Sequence, residues 1–275
     1  MPFNRHRASP PPRRVLVTGG LSGLGRAFVE LFVARGDRVL ATDLADEAPA
    51  GSLPRGAAYR RLDVRADADW SAARVAVETD WGGLDVLVNN AGIAVGGRID
   101  IAEMSEWEAI LAVNLLGVVR GCRTFTPVFK RQGAGTIVNV ASLAGVVHAP
   151  AMASYNSAKA GVVALSETLR HELAPHGVQV SVVCPAFLRT NLAASLRGAD
   201  AEAEAAKDRH LAQARLTPTV VAARALAGVD AGRLLVFTDV IGRVAFWGKR
   251  LNTPLYRLAM TVPGRRLAAS ERRTR

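Results

Sequence analysis

The sequence predicts a single-domain, doubly wound α/β fold: a parallel sheet of about seven strands with helices on both faces. Three observations predict it. Short β-rich runs alternate with longer stretches of helical periodicity, and that alternation implies right-handed crossovers between parallel strands. The strand runs are continuously apolar, as a sheet covered on both faces requires. A glycine-rich turn, TGGLSGLG, separates the first strand from the first helix, where such folds bind phosphate.

The elements follow in order. VLVT (15–18) is a strand, and GRAFVELFVARG after the glycines spaces its apolar residues as a helix does. RVLATD (38–43) and the weaker AYRRLDV (58–64) are the next strands. DADWSAARVAVETDWG is a helix with Asp67 or Asp69 as its cap. LDVLVNNAG (84–92) is a buried strand running into a turn. MSEWEAILAVNLLGVVRGCRTFTPVFKRQG is a long helix, expected to bend or break near Pro127. GTIVNVAS (135–142) is a strand, and ASYNSAKAGVVALSETLRHELAPHG is a long helix closed by Pro175 and Gly177. VQVSVVCP (178–185) and LLVFT (234–238) complete the sheet. The Ala-rich, charged stretch 190–217 reads as an exposed helical insertion or a substrate lid. No repeat or linker divides 15–241. The expected organisation is a basic N-terminus (1–12), one domain (13–240) and a basic C-terminal extension (241–275).

Composition bounds the function. The 275 residues, 49% hydrophobic and 21% charged, suit one large globular domain. Cys122 and Cys184 are too few for a disulfide framework and lack metal-ligand spacing, so reduced core thiols in the cytoplasm are expected, with no metal. The net charge of +11 is confined to the ends: +4 over 1–14, +8 over 242–275 and −1 between them. A neutral body without stacked aromatic and basic residues argues against nucleic acid. Solvated tails and a weak peripheral contact with an anionic membrane are the alternatives for the basic ends. No unbroken apolar run of about 18 residues is present to span a bilayer, and no signal-peptide core follows the N-terminus.

The chemistry begins at the glycines. Gly19, Gly23 and Gly25, with Ser22 and Leu24 between them, allow a tight turn, close approach of a pyrophosphate and a helix N-terminus aimed at it. Asp43 ends the second strand 18 residues after Gly25. A carboxylate there binds ribose hydroxyls and repels a 2′-phosphate, which favours NAD and makes NADP the lesser expectation. Arg26 and Arg38 remain as alternative phosphate partners. In YNSAK, Tyr155 and Lys159 share a helix face at i, i+4. Taken alone that spacing is commonplace.

It is not alone. Over residues 13–240 the chain resembles the short-chain dehydrogenase/reductase family, which has a Rossmann-type fold. TGGLSGLG, LDV with Asp63, NNAG (Asn89 to Gly92), VNL with Asn114, VASLAG with Ser142 and YNSAK occur in the family's order. The resemblance implies that Tyr155 is the general acid/base, Lys159 its electrostatic helper, Ser142 the donor to the substrate oxygen and Asn114 the support of a proton-relay water. It also implies cofactor contacts at Asp63, Val64, Asn90, Ala91, Gly92, Pro185, Leu188 and Thr190, and homodimers or homotetramers built through 103–132 and 154–174. One departure stands out. The family's glycine after Pro185 is Ala186 here, which cannot take positive φ as cheaply.

Walls for a substrate are expected from 94–97, 143–152 and 186–217, through Val146, Val147, His148, Met152, Phe187, Leu188 and Leu192, mostly apolar. The expected activity is NAD-dependent interconversion of a hydrophobic secondary alcohol and its ketone. An NADPH-dependent ketoreductase of secondary metabolism and a non-catalytic dinucleotide-binding scaffold are the alternatives. His148 is either a substrate-orienting group or a solvent-facing loop residue. The C-terminal tail is an amphipathic element, lying on a membrane, over the substrate mouth or against another subunit.

Overall fold

The computed structural model describes residues 11–186, 198–205 and 216–274. Its strands are β1 (Arg14–Thr18), β2 (Arg38–Asp43), β3 (Ala57–Arg61), β4 (Val86–Asn89), β5 (Gly135–Val140), β6 (Val178–Cys184) and β7 (Leu235–Phe237). They form one parallel sheet in the order β3-β2-β1-β4-β5-β6-β7. The order reverses between β1 and β4, and ligands in such sheets bind beyond the strand ends at that crevice. The helices are α1 (Gly23–Ala34), α2 (Asp67–Trp81), α3 (Met104–Leu111), α4 (Gly117–Gln132), α5 (Ala153–Leu173), α6 (Pro218–Asp230), α7 (Val240–Leu251) and α8 (Thr253–Thr274).

Alternate strand residues feed two cores. Leu16, Leu87 and Ile137 pack with Trp70 of α2, Phe125 and Phe129 of α4 and Val162 of α5. Val15, Val17 and Val88 pack with Phe28 and Phe32 of α1 and Leu226 of α6. Most positions of β1, β2, β4, β5 and β6 therefore meet a covered face, which explains their apolar runs, while edge strand β3 is largely exposed and carries Tyr59, Arg60 and Arg61. Burying each large side chain contributes about 1.5–3 kcal/mol.

Several local expectations change. The helix cap before α2 is Ala66, without a side-chain bond. Asp69 instead accepts from the Asp63 N–H at 2.8 Å and pins the turn after β3. Helix α4 runs through Pro127 unbroken, and the irregularity lies earlier, in a π-helical turn at Ala112–Leu116. The continuous run Met104–Gln132 has the length and mean hydropathy, 1.3, of a helix able to cross a bilayer. Here its apolar face, with Ile110, Val118, Phe125 and Phe129, is buried inside the fold. Arg13 and Arg14 are not part of a free tail. Arg13 pairs with Asp37 at 2.8 Å, and the Arg14 N–H donates to Asp85 at 2.7 Å.

Candidate active site

A cleft of about 570 Å³ opens at the β1/β4 crevice. It runs from Asp43, Leu62, Asp63, Val64 and Arg65 past Gly19, Ser22, Gly23 and Leu24 to Ser142, Tyr155 and Lys159. The glycine turn is clipped to the β4 end. Thr18 Oγ1 accepts from the N–H groups of Asn90 (2.9 Å) and Ala91 (3.0 Å), and Asn90 Nδ2 donates to the Thr18 carbonyl at 2.9 Å. Gly19 and Gly23 hold φ of +66° and +53°, where a side chain is strained. Ser22 caps α1 in extended conformation without a side-chain bond, so the first-turn amides, which lack intrahelical partners, remain available to an anion. Gly25 does not line the cleft. It packs so closely that a Cβ there would sit 1.9 Å from the Gly19 carbonyl oxygen.

Asp43 lines the cleft while accepting from the N–H groups of Leu21 (3.1 Å) and Leu44 (2.8 Å). Asp43 thus braces the glycine turn while its carboxylate lines the cleft. The candidate arginines are engaged elsewhere. Arg26 pairs with Glu30 at 2.9 Å, and Arg38 stacks 5.0 Å from the Trp81 ring at the opposite end of β2. Asp63 pairs with Arg65 at 2.7 Å, and that guanidinium holds its carboxyl below the usual range. The donor set suits a dinucleotide: open amides at a helix start for the pyrophosphate, with a carboxylate at the β2 end for a ribose.

Tyr155 and Lys159 share one face of α5, both buried and both lining the cleft, with Nζ 5.9 Å from the phenol ring centre. Lys159 Nζ donates to the Val140 carbonyl at 2.9 Å. Ser142 follows β5, lines the cleft with Tyr155 and accepts from the Ala144 N–H at 3.1 Å. Burial pushes that phenol up to about 12, with Ser142 opposing. Burial also pushes Lys159 down to about 8. Asn114 is fully buried in the π-helical turn, and both polar atoms of its side chain bond Ile93, accepting its N–H at 2.9 Å and donating to its carbonyl at 2.8 Å. The side chain acts on the cleft through the 90–94 loop. Behind the site, Asn89, Asn139 and Ser166 form a buried chain at 2.9 and 3.0 Å that ties β4, β5 and α5 together.

The lysine's burial is also a stability statement. The unfolded pKa is 10.5 and the folded one about 8. The folded chain therefore binds fewer protons between those values, and stability rises with pH across that window. Below it the full cost of burying the cation applies, on the order of 3 kcal/mol. Lys159→Met is expected to stabilise the protein at pH 7 by about 1–2 kcal/mol, after about 1 kcal/mol lost with the bond to Val140. Urea unfolding at pH 7 and pH 10 checks this, and the gain should shrink at the higher pH.

The substrate wall differs from expectation at Val146, which is buried in the core rather than facing the cleft. His148 faces outward, the second of its two readings, with its Nδ1 3.2 Å from Lys249 Nζ. Leu143, Ala144, Val147, Ala149 and Met152, within the expected stretch 143–152, line the cleft, and so do Gly92, Ala94, Pro185 and Ala186. Ile93, Ala109 and Val113 also line it and were not anticipated; nothing in their local pattern separates them from core residues. Phe187, Leu188, Thr190 and Leu192 lie outside the described residues. In the described part of 190–217, Asp200, Ala203 and Glu204 are buried rather than exposed. Arg98 Nε grips Asp200 at 2.7 Å, and the Gly96 N–H donates to Glu204 at 3.0 Å.

Comparison with known proteins agrees with this architecture. A family model described as short chain dehydrogenase matches residues 13–201. A 3-alpha-(or 20-beta)-hydroxysteroid dehydrogenase of Mycobacterium tuberculosis is 39% identical over 178 residues, 64% of this chain and 68% of that protein. A short-chain dehydrogenase/reductase of Burkholderia phymatum, solved in complex with NAD, superposes with a TM-score of 0.80 at 29% identity, covering 87% of this chain and 95% of that one. A short-chain dehydrogenase of Burkholderia cenocepacia, solved in complex with NADP, shares the fold with a TM-score of 0.78 at 24% identity, covering 90% and 97%.

Proposed function

The chain belongs to the short-chain dehydrogenase/reductase family and is an NAD(P)-dependent oxidoreductase acting on CH–OH groups; from that premise we propose that it uses NAD to interconvert a lipophilic secondary alcohol and its ketone through Ser142, Tyr155 and Lys159. The observation that carries this reading is the convergence of those three polar side chains at one end of the cleft that also holds the glycine turn and Asp43. The nicotinamide cofactor supplies or accepts the hydride. Tyr155 takes the alcohol proton in oxidation and returns it in reduction. Ser142, in the same cleft as the phenol, donates to the substrate oxygen as negative charge develops there. Lys159, fixed by Val140, places a cation beside the phenolate. Asn114 holds Ile93 and so shapes the wall. Any contact it makes with a relay water comes through its main chain, because its side-chain amide is committed to Ile93. The apolar lining, from Ile93, Val113, Leu143, Val147 and Met152, supports a lipophilic substrate, as does the steroid named for the mycobacterial relative.

The pH dependence follows from the phenol's position. A phenol pushed up to about 12 is protonated at neutral pH. Alcohol oxidation, which needs the phenolate, should therefore rise with pH across the alkaline range, while ketone reduction, which needs the phenol, should not. Initial rates in both directions from pH 6 to pH 10 check this; an oxidation rate that falls with rising pH counts against Tyr155 as the base.

NAD is favoured by Asp43 at the end of β2 and by the engagement of Arg26 and Arg38 elsewhere. Arg65, which lines the cleft, is the one observation that favours the NADPH ketoreductase reading. Fluorescence titration with NADH and NADPH tests the choice. NADH should bind at least about tenfold more tightly, and Asp43→Ala should erase that preference. A preference for NADPH that Arg65→Ala abolishes would overturn it. The proposal extends to self-association through α3–α4 and α5, supported by exposed Met104 and Leu116 on the first pair. A cytoplasmic setting is supported by two buried, unpaired thiols, Cys122 and Cys184.

A further inference from the structure

The last two helices each carry an apolar stripe with nothing packed on it among the described residues. In α7, Val240, Val244, Trp247 and Leu251 recur at i, i+4, i+7 and i+11, one helical face, and are from 50% to 79% exposed. In α8, Leu255, Leu258 and Val262 recur at i, i+3 and i+7 and are from 50% to 65% exposed. The other face of α7 seats the pair on the body. Phe246 is buried with its ring 5.0 Å from that of Phe237. Lys249 Nζ donates to the Val146 carbonyl at 2.8 Å, and the His148 N–H donates to the Tyr256 hydroxyl at 3.2 Å. The arm thus rests on the 143–149 loop, whose inner side lines the cleft, and its stripe faces away from the body.

Charge identifies the occupant. Residues 242–275 hold nine Lys and Arg against one acid. Two copies joined through this arm would set one strongly basic segment against another, so a second copy is disfavoured. An anionic surface with an apolar interior complements both the stripe and its flanking Arg243, Arg250 and Arg257. We propose that α7 and α8 form an amphipathic arm that docks the protein on an anionic lipid bilayer.

Sedimentation of the full chain with vesicles tests this, using phosphatidylglycerol mixed with phosphatidylcholine against phosphatidylcholine alone. Partitioning should be at least about tenfold stronger on the anionic vesicles and weaken with added salt. The charge-neutral triple variant Trp247→Gln/Leu251→Gln/Leu255→Gln should lose at least about tenfold of that binding. All three positions are exposed, and its NADH titration and circular dichroism should match the parent. Equal pelleting by the triple variant would show adsorption by charge alone and overturn the proposal. So would a failure of the parent to pellet, or a triple variant that changes only the sedimentation coefficient of the free protein, which would give the stripe to a second copy. Because the readout is lipid binding, failure here is distinct from failure of the dehydrogenase reading.

Discussion

Tyr155→Phe is expected to lower kcat in both directions by roughly a thousandfold, the scale of a lost general acid/base. The substitution removes only the hydroxyl. The ring keeps its place in the small cluster with Ala94, Val95, Ile110 and Ala158, so NADH affinity should stay within about threefold. Stability should change by no more than about 1 kcal/mol, since only one buried hydroxyl is removed and the ring's packing is kept. The residual rate should also lose the alkaline rise in oxidation, because the titrating group is gone. Ser142→Ala removes the oxyanion donor and should cost about 10²–10³ in kcat while retaining that rise. Steady-state kinetics across pH, paired with NADH titration, separate the two roles. A Tyr155→Phe rate within tenfold of the parent would remove Tyr155 from the mechanism.

Gly25→Ala should have a comparably large effect through the backbone. The new Cβ would meet the Gly19 carbonyl oxygen at 1.9 Å and Asn90 Nδ2 at 2.5 Å. A backbone carbonyl cannot rotate away as a side chain does, so the whole glycine turn must move. A displacement of about 1 Å in a positioned site costs on the order of a hundredfold, and that loss should appear in NADH affinity. Overpacking should also destabilise the fold by about 1–3 kcal/mol. Gly36→Ala is the control. Unlike Gly25, Gly36 has positive φ, +83°, but its Cβ would meet nothing within 4 Å. It should show a modest stability loss of about 1 kcal/mol and unchanged NADH affinity. If Gly25→Ala bound NADH as the parent does, the close contact between turn and helix would not shape the cofactor cradle.

The strands and the glycine turn were readable because they are local and periodic. The central strands are buried on both faces and must be apolar, whereas the exposed edge strand β3, with Arg60 and Arg61, gave the weaker signal. A turn at positive φ requires glycine at Gly19 and Gly23. An i, i+4 pair on a helix shares a face, so Tyr155 and Lys159 could be joined before any folding was known. Their union with Ser142 was readable only as a family pattern, since β5 and α5 meet through the sheet. The first strand-end acid, Asp43, was equally visible, but its double use as brace and cleft carboxylate depends on where the Leu21 amide lies.

Other features have no local signature. Asn114 looks like any helix asparagine until a π-helical turn carries its amide onto Ile93. Pro127 looked like the break, yet α4 passes through it. Val146 was misplaced because the 3₁₀ turn at Leu143–Gly145 directs it into the core, while Val147 beside it lines the cleft. Arg98 and Asp200 lie about a hundred residues apart and meet only in the folded chain. Sequence periodicity specifies backbone conformation and which side chains share a face, because those depend on near neighbours. The pKa of Tyr155, the partner of Lys249 and the open face of α7 depend on what else is packed nearby, and only the folded chain supplies that.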